Sequence, residues 1–410
     1  MRAVLAFLFL GVATSLPAAD LVLTGATVYS APEGAPIGGA AVVVHDGKII
    51  AVGPRSSVKT PSGAQVIDCS GKFIVAGLWN SHVHIQTVPL LHAHDGKAAD
   101  LNAELDAMLN KWGFTTVFDL ASLLDNTKEL RRRIESGELR GPHILTVGEP
   151  IITQVPIYAK DFLEANHITM PVVKTPEEAE EQVASLADLD ADGIKLFTGS
   201  FQGDHVNNMP VEMVRAAVAE AHRHHLPVFA HPQNTEGLEA AIDGGVDILA
   251  HTAPGSPAWT PEFVARLQKA HMALIPTLTL WDVEARKENM KDADREAWMT
   301  AMVAQLRAYS QAGGEILFGT DVGYTDHFDT AMEYTEMSRA GMSFPRILAS
   351  LTTAPAKRFG AASHTGRIAQ GLDADLVVLK GDPAKDITAL AKVYLSIRSG
   401  NVIYDGRTNR

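Results

Sequence analysis

Between residues 71 and 365 the chain alternates short apolar runs with longer segments whose apolar residues recur at helical spacing. The apolar runs are typical of buried strands, and turn-forming residues separate them from the helical segments. The runs end near His84, Asp119, Val147, Phe197, His231, His251, Thr277 and Asp321. Eight strand–helix units over about 300 residues predict a (β/α)₈ barrel, the TIM barrel, with parallel strands enclosed by helices.

The helical segments carry their own start signals. Thr175-Pro176 followed by Glu178 forms a capping box with proline at the first helical position, which predicts a helix start. Residues 213–224 repeat apolar positions at helical spacing and predict another helix.

Both ends of the chain show a different pattern, in which short apolar runs are separated by turn residues. Residues 20–70 contain such runs with Asp46-Gly47 between two of them, and residues 366–410 contain similar runs. Because each end alone is too short to bury a core, we expect the two to pair as one small β-sandwich beside the barrel at 71–365.

Residues 1–19 fit a leader for export. They begin with a positively charged Met-Arg pair, continue with an apolar run and end in small residues before Asp20. This order is that of a signal peptide, so we expect an exported protein, either periplasmic or secreted. Leu16 and Pro17 fit the cleavage site poorly, and a buried strand or an uncleaved anchor is the alternative.

Composition excludes several classes of function. The chain has 35 basic and 48 acidic residues, a net charge of −13 with histidine neutral, which argues against a nucleic-acid-binding surface. No run outside the leader is long enough to span a bilayer, so we expect no membrane contact after the leader is removed. Cys69 is the only cysteine, so no intrachain disulfide can form after export.

Polar residues at the predicted strand ends form the candidate site. His82 and His84 are two residues apart, so in a strand their imidazoles point to one face and can bind one metal ion. A His-x-His pair alone is more often a surface pair without a metal. The pair gains weight because further candidates lie at other strand ends, which meet at one face of a barrel. These further candidates are Lys195, His231, His251 and Asp321.

The ligand types are those that zinc prefers, since neutral imidazoles and carboxylates bind Zn²⁺ at about 2.0–2.2 Å. We expect His82, His84 and Asp321 to hold one ion. We expect His231 and His251, on adjacent strands, to hold a second. Manganese and cobalt fit such ligands as well, so the metal itself stays open.

Lys195 is the candidate for the anion that bridges the two ions. As an ammonium it would repel them, but its amine becomes a carbamate with two oxygens if it adds carbon dioxide. The alternative is a surface or salt-bridged lysine, the common fate of this residue type. The convergence of imidazoles and a carboxylate favours the carbamate. The predicted cofactor is therefore two Zn²⁺ ions, or another divalent metal, bridged by carboxylated Lys195.

A water molecule that bridges two Zn²⁺ ions ionises near neutral pH and supplies hydroxide for attack on a carbonyl carbon. Asp321 can accept the proton of that water and deliver it to a leaving amine, as general base and then acid. The prediction is hydrolysis of an amide-type C–N bond, in an N-acyl amino acid, a dipeptide or a cyclic amide. A lactonase or esterase fits the same site, and a mononuclear deaminase or a non-catalytic metal-binding protein are further alternatives.

Three residues are candidates for contact with a small-molecule substrate, with a solvated loop or a pocket wall as the alternative for each. They are His205 after the fourth strand, Trp281 after the seventh and His327 after Asp321. A homo-oligomer is left open by the sequence.

The segments that hold these candidates resemble the amidohydrolase superfamily, in particular its imidazolonepropionase-like and Xaa-Pro or Xaa-Arg dipeptidase-like branch. The resemblance covers almost the whole chain after the leader and implies a metal-dependent hydrolase with a binuclear zinc site and a carboxylated Lys195. The matching segments are Asn-Ser-His-Val-His at 80–84, Gly-Ile-Lys at 193–195, Val-Phe-Ala-His at 228–231, Ile-Leu-Ala-His at 248–251, Ile-Pro-Thr-Leu at 275–278, Gly-Thr-Asp at 319–321 and Gly-Leu-Asp-Ala-Asp-Leu-Val-Val-Leu at 371–379.

Departures from the family pattern limit what the resemblance implies about the substrate. Asn80 stands where the family usually has Asp, and Ala76-Gly77 stands where it has Pro-Gly. The stretch 148–154 lacks the histidine that the dipeptidase branch carries after the third strand. A pocket for a peptide with a free carboxylate is therefore not implied. Imidazolonepropionase itself lacks the bridging lysine, so that activity is not implied either.

Overall fold

The strands of the chain form a sheet from both termini and a set of short parallel strands. The structure is a computed structural model that describes residues 20–407, and the leader predicted at 1–19 lies outside the described residues. The strands are β1 (Leu21–Val28), β2 (Ile37–His45), β3 (Lys48–Pro54), β4 (Gln65–Asp68), β5 (Phe73–Ala76), β6 (Leu78–Val83), β7 (Phe114–Asp119), β8 (His143–Thr146), β9 (Ile194–Leu196), β10 (Gly199–Phe201), β11 (Val206–Asn208), β12 (Val228–Ala230), β13 (Ile248–Leu249), β14 (Ala273–Leu274), β15 (Leu376–Leu379), β16 (Val393–Arg398) and β17 (Asn401–Asp405).

The helices lie between the parallel strands and after them. They are α1 (Ala98–Met108), α2 (Leu124–Glu135), α3 (Lys160–Ala165), α4 (Pro176–Asp188), α5 (Val211–Arg223), α6 (Thr235–Gly244), α7 (Pro261–Lys269), α8 (Leu278–Lys287), α9 (Asp292–Gln311), α10 (Ala331–Arg339), α11 (Phe344–Leu351) and α12 (Thr353–Arg358). α4 begins as the capping box predicts, because the Thr175 hydroxyl accepts a hydrogen bond from the backbone N–H of Glu178 at 3.2 Å. Across residues 20–407, every helix is too short or too polar to cross a bilayer.

The two ends of the chain share one hydrogen-bonded sheet. Its strand order is β17-β16-β15-β5-β1-β2-β3, with β4 also paired to β1. β15 joins the two ends because it runs antiparallel to β5, with Val377 opposite Val75. Leu23, Val42 and Leu376 are fully buried in one apolar cluster. Full burial of each such side chain contributes about 1.5–3 kcal/mol, so both ends of the chain stabilise this sheet.

The apolar run at 73–75 lies in this terminal sheet, although its place just before His82 predicts the entry to the first barrel strand. After β5 the chain passes through Gly77 into β6. A Cβ atom at Gly77 would lie 2.1 Å from Oγ1 of Thr115 and 2.8 Å from Cβ of Asp375. Because no side chain fits between these neighbours, the glycine lets one continuous segment serve both sheets.

The remaining long-range pairing is parallel. β6, β7 and β8 form one parallel sheet, and β9, β12, β13 and β14 form another. The helices between these strands return the chain to the start of the next strand, which gives a TIM-barrel-like α/β fold. The two sheets approach each other where the backbone N–H of Ile151 donates to the carbonyl of Lys195 at 2.8 Å.

Seven of the eight predicted barrel strands are present, and each ends at or up to three residues before its predicted position. The eighth, before Asp321, pairs only through isolated bridges, Leu274 with Ile316 and Val83 with Val322. Its backbone still bonds to both neighbours, since the Leu317 N–H donates to the carbonyl of Leu274 at 2.9 Å and the carbonyl of Phe318 accepts from the Ser81 N–H at 2.7 Å. Extended geometry ends at Asp321, where φ is +62°.

Gly319 allows this last segment to lie directly against β6. A Cβ atom there would lie 2.3 Å from Cγ2 of Ile275 and 2.7 Å from Cβ of His82. The absence of a side chain thus brings the backbone of Asp321 up to His82, where the Asp321 N–H donates to the His82 carbonyl at 2.9 Å.

Candidate metal centre

The six residues expected to bind metal lie together at the ends of the parallel strands. His82 is in β6 and Lys195 in β9, while the others follow β6, β12, β13 and the segment at 316–318. All six side chains are buried, and even the most accessible of them, His84 and His231, are only 8% exposed. A cluster of titratable groups withdrawn from water is costly unless the groups bind one another or an ion.

The four imidazoles form a continuous row. Ring centroids are 5.2 Å apart for His84 and His82, 4.6 Å for His82 and His251, and 4.6 Å for His251 and His231. His251 and His231 follow the paired strands β13 and β12, whereas His82 lies in β6, which is not paired with β13. The contact between His82 and His251 therefore joins ligands from separate sheets around one shared volume.

Within residues 20–407, the ligand atoms that come within 4.8 Å of one another belong to His82, His251 and Asp321. The sequence pairs His251 with His231 for a second ion, and this division of the ligands between two ions stays a prediction. His84 still reaches the carboxylate, because its Nε2 lies 2.7 Å from Oδ1 of Asp321. His231 is linked to the triad through its ring contact with His251.

Backbone carbonyls fix the orientation of two imidazoles. Nδ1 of His82 lies 3.0 Å from the carbonyl of Ala250, and Nδ1 of His84 lies 3.0 Å from that of Ala121. A carbonyl oxygen only accepts, so each Nδ1 carries the proton and donates. The other nitrogen, Nε2, faces Asp321 at 2.9 Å from His82 and 2.7 Å from His84.

His251 is oriented by a hydroxyl in the same manner. Its Nδ1 lies 2.7 Å from Oγ1 of Thr277, whose own proton goes to the carbonyl of Pro276 at 2.9 Å. The hydroxyl is therefore the acceptor, Nδ1 is the donor, and Nε2 of His251 carries a lone pair. Outer partners of this type are typical of metal-binding histidines.

The donor set fits a cation. Burial, together with the nearby charge of Lys195, lowers the pKa of His82 to about 4, so this imidazole is neutral at pH 7. Its unprotonated Nε2 and the Asp321 carboxylate then face each other as two acceptors, and Nε2 has no hydrogen-bond partner. Nε2 of His231 is also buried without a partner. Divalent metal ions bound among these residues would satisfy these lone pairs.

Lys195 is 1% exposed, and burial lowers its pKa to about 7. Its Nζ lies 5.6 Å from the ring centroid of Phe197. Its charge also lowers the pKa of His82 and of His231, the latter to about 3 after the larger effect of burial. The charge of the amine therefore acts on imidazoles from both sheets, and the amine is partly uncharged at neutral pH.

Asp321 is held in an unusual backbone conformation. Its φ of +62° is rare for a residue with a side chain, and such strain is concentrated at functional sites. Burial by itself would raise the pKa of the carboxyl, but the positive charge that His82 and His84 carry when they are protonated holds that pKa well below its usual value. The carboxylate is thus ionised and able to accept a proton or bind a cation.

The three residues expected to contact substrate lie in different settings. Trp281 is buried in α8, with its ring 5.7 Å from that of His251 and its Nε1 donating to Oγ1 of Thr252 at 2.8 Å. His205 is exposed in the turn between β10 and β11 and pairs with Asp204 at 2.6 Å. His327 is exposed in the loop after Asp321. Only Trp281 is packed against the candidate metal centre.

The structure adds aromatic residues that the sequence does not single out. Tyr324 lies 6.5 Å from the ring of His84, and Tyr158 lies 5.3 Å from the ring of Tyr324. Phe197 stacks on His231 at 4.7 Å. Tyr324 lies three residues after Asp321, so its place in the sequence points to the site, whereas Tyr158 lies in a short 3-10 helix before α3 that carries no motif.

The profile of the amidohydrolase family matches residues 73–403, so this chain belongs to the amidohydrolase family. The chain is accordingly a metal-dependent hydrolase that acts on carbon–nitrogen bonds, and the resemblance drawn from its sequence motifs is confirmed. The family also implies a divalent metal site, for which the triad of His82, His251 and Asp321 is the candidate.

Known relatives differ in what they act on. The chain is 23% identical over 400 residues to an adenine deaminase of Rubrobacter xylanophilus, matching 95% of this chain and 58% of that longer protein. It is 23% identical over 423 residues to the ochratoxinase of Aspergillus niger, matching 91% of this chain and 84% of that protein. A Xaa-Pro dipeptidase solved with bound methionine superposes with a TM-score of 0.79 at 23% identity, over 95% of this chain and 100% of that one.

The buried imidazoles predict that acid destabilises the metal-free protein. The free energy of unfolding should fall from about pH 7 to about pH 5, because unfolded histidines take up protons near pH 6.5 and native His231 does not. His231, with its pKa lowered to about 3 by burial, binds protons only in the unfolded state over this range. Urea denaturation should show a smaller fall for His231→Gln than for the exposed control His92→Gln; equal falls would contradict the assignment.

Proposed function

We propose that this protein is a binuclear-zinc amidohydrolase that cleaves an amide-type C–N bond of a small molecule. The observation that carries the proposal is the neutral Nε2 of His82 facing the ionised carboxylate of Asp321, at 2.9 Å and without a hydrogen bond. This arrangement is unfavourable in a buried site unless a cation lies beside both atoms. The residues that would hold the two ions are His82, His84, Lys195, His231, His251 and Asp321.

The fold proposed around this site is a closed barrel with a separate β domain. We propose that the eight parallel segments up to residue 365 close into a (β/α)₈ barrel, and that residues 20–70 and 366–407, together with β5, pack as a β-sandwich. Hydrogen bonds from Ile151 to Lys195 and from Leu317 to Leu274 join the parallel sheets to their neighbours and support closure. Export to the periplasm or the outside, with residues 1–19 as a signal peptide, is proposed on the sequence alone.

Lys195 is proposed to bridge the ions as a carbamate. The lone pair of its neutral amine adds to the carbon of carbon dioxide, a C–N bond forms, and one proton is released to solvent. A pKa near 7, caused by burial, keeps part of the amine neutral and supports this step. The product is an anion. Its formation removes a buried ammonium group, for which the two neighbouring imidazoles are poor partners.

The reaction uses the carboxylate of Asp321 for proton transfer. Bound divalent ions would supply the positive charge that acidifies a water molecule and polarises the scissile carbonyl. Oδ1 of Asp321 lies beside Nε2 of His82 and of His84. We propose that it takes the proton from the attacking water and delivers it to the leaving nitrogen. The low pKa of this carboxyl makes it an acceptor at neutral pH.

Two other activities remain as alternatives on the same residues. A lactonase or esterase differs only in the leaving atom, since the same water attacks an ester carbonyl. A mononuclear deaminase, in line with the adenine deaminase relative, would not need Lys195. The number of ions per chain distinguishes this second alternative from the proposal.

Metal content and mass test the bridging carbamate. The purified wild-type chain should contain close to two zinc ions, and its intact mass under mild conditions should exceed the sequence mass by one carbon dioxide. Lys195→Ala should lose zinc and activity, and added short carboxylic acids should restore part of the activity because they replace the bridging oxygens. One ion per chain with no added mass, or full zinc content in Lys195→Ala, would exclude the bridge.

Asp321→Asn tests the proton transfer. The variant should keep most of its metal, because the histidines remain, while kcat for amide hydrolysis falls by about 10²–10⁴-fold, the usual contribution of a general acid–base group. Zinc content and kcat are measured on the same preparation. Near-normal turnover in a metal-loaded Asp321→Asn protein would contradict proton transfer by Asp321.

The rings around the metal centre bear on the substrate. We define the aromatic collar as Phe197, Trp281, Tyr324 and Tyr158, which contact one another or the imidazoles at 4.7–6.5 Å. Two exposed apolar side chains lie close to its members along the chain: Ile157 directly precedes Tyr158, and Phe201 ends β10, shortly after Phe197. Aromatic rings and apolar side chains at a pocket mouth favour a planar, apolar group on the substrate.

Charges near the collar disfavour a substrate with a free carboxylate. Tyr324 donates to Oε1 of Glu284 at 3.2 Å. Lys287, which lies 4.6 Å from the centroid of the Tyr324 ring, is paired with the same Glu284 at 2.9 Å. The charge of Asp321 also acts on Tyr158 and Tyr324. We therefore propose an uncharged amide with an aromatic group, which sets aside the N-acyl amino acids and dipeptides because they carry a free carboxylate.

Matched substrates test this narrower class. Acetanilide should be hydrolysed with a higher kcat/KM than N-cyclohexylacetamide, and the methyl ester of 4-acetamidobenzoate with a higher value than the free acid. Tyr324→Leu should lower the preference for the aromatic amide by about two- to tenfold, the energy of one aromatic pair. Tyr404→Leu in β17, on the terminal sheet, is the control. Equal kcat/KM within each pair would refute the substrate class but leave amide hydrolysis intact.

A further inference from the structure

Glu333 is a buried carboxylate that takes no part in the proposed chemistry. It lies in α10 and is fully buried, and burial raises its pKa to about 7. Its two oxygens accept the backbone N–H groups of Leu278 at 2.9 Å and Thr279 at 2.7 Å, and the hydroxyl of Thr279 at 2.9 Å. The buried carboxylate of Glu333 therefore accepts its hydrogen bonds from the first turn of α8.

Glu333 replaces the cap that α8 lacks within its own sequence. The residue before α8 is Thr277, a type that often accepts from the first backbone N–H groups of a helix. Its side chain makes no such bond here, and its φ is +46°. Because Glu333 satisfies these N–H groups from another helix, the Thr277 hydroxyl is free for other partners.

The freed hydroxyl orients a candidate metal ligand. Oγ1 of Thr277 donates to the carbonyl of Pro276 at 2.9 Å and accepts from Nδ1 of His251 at 2.7 Å. Both bonds depend on the left-handed backbone at Thr277, which directs its side chain toward the strand end. This conformation is strained in a residue with a side chain, so a neighbouring restraint must hold it.

We propose that Glu333 is a positioning residue for metal binding: by capping α8 it holds Thr277 so that His251 presents Nε2 to the metal. The proposal rests on the metal site described above. A cap with a purely structural role would stabilise the fold without selective effect on the metal. The two roles are separated by measuring metal affinity and protein stability on the same variants.

The variant that tests the role is Glu333→Gln in the full chain. An amide places an N–H₂ group against donors of α8, so the restraint on Thr277 weakens while the side-chain volume is kept. The affinity for Zn²⁺, measured by competition with a chelator, should fall by about 10–100-fold, the usual effect of changing an outer partner of a ligand. The visible absorption of the Co²⁺-loaded protein should change with it.

Glu336→Gln is the matched control. It lies one turn further along α10, is partly buried and pairs with Arg339 at 3.3 Å instead of with α8. We expect wild-type Zn²⁺ affinity in this control. If Glu333→Gln does not fold, Thr279→Val removes only one of the three bonds to Glu333 and should give a smaller loss of affinity in the same direction.

A double variant tests the route through Thr277. Thr277→Val alone should lower Zn²⁺ affinity, and adding Glu333→Gln should lower it little further, because both changes act on the same bond to His251. In the metal-free protein, nitrogen NMR should show the proton of His251 on Nδ1 in the wild type and a mixture of tautomers in Glu333→Gln.

Wild-type affinity in a folded Glu333→Gln protein, or full additivity with Thr277→Val, would overturn the positioning role. Absence of Zn²⁺ binding by the wild-type chain would instead refute the proposed function, so the two failures are distinguishable.

Discussion

The carboxylate of Asp321 lies in a buried site against the unprotonated nitrogen of His82, and the rest of the structure is arranged around that contact. A neutral imidazole nitrogen and an ionised carboxylate repel each other at 2.9 Å unless a cation lies beside them. The fold maintains the contact in several ways at once. Gly319 brings the Asp321 backbone against β6, and the strained φ of Asp321 directs its side chain back to the imidazoles.

The same strand ends that carry the ligands also carry their orienting partners. The carbonyl of Ala250, which accepts from His82, directly precedes His251, so one strand end orients one ligand and supplies the next. Parallel strands allow one strand end to play both parts, because the ends present carbonyl groups and side chains to the same volume. A disturbance at one strand end therefore affects two ligands.

Sequence reasoning identifies the parts of the site that depend on position along a strand. The pattern of apolar runs locates seven strands, and the polar residues at their ends are the six that the structure brings together. The pattern does not reveal that His251 groups with His82 and Asp321, because distances across the strands depend on their tilt. Nor does it show that residues 73–75 lie in the terminal sheet, since a buried strand has the same apolar pattern in either place. Glu333 and Tyr158 reach the site through contacts between distant segments, which leave no local periodicity.

The charge that Lys195 carries acts on the imidazoles of the candidate metal centre, and its sign depends on the chemical state of the side chain. As an ammonium it lowers the pKa of His82 and His231, which keeps both imidazoles ready to bind a cation but also repels that cation. As a carbamate it would attract a cation at the same position. A conversion of this kind reverses the charge without moving the backbone, because Lys195 remains fixed in β9 between Ile151 and Phe229. Burial keeps the amine partly neutral. If the amine reacts with carbon dioxide as proposed, burial would also strengthen the attraction between the resulting anion and metal ions.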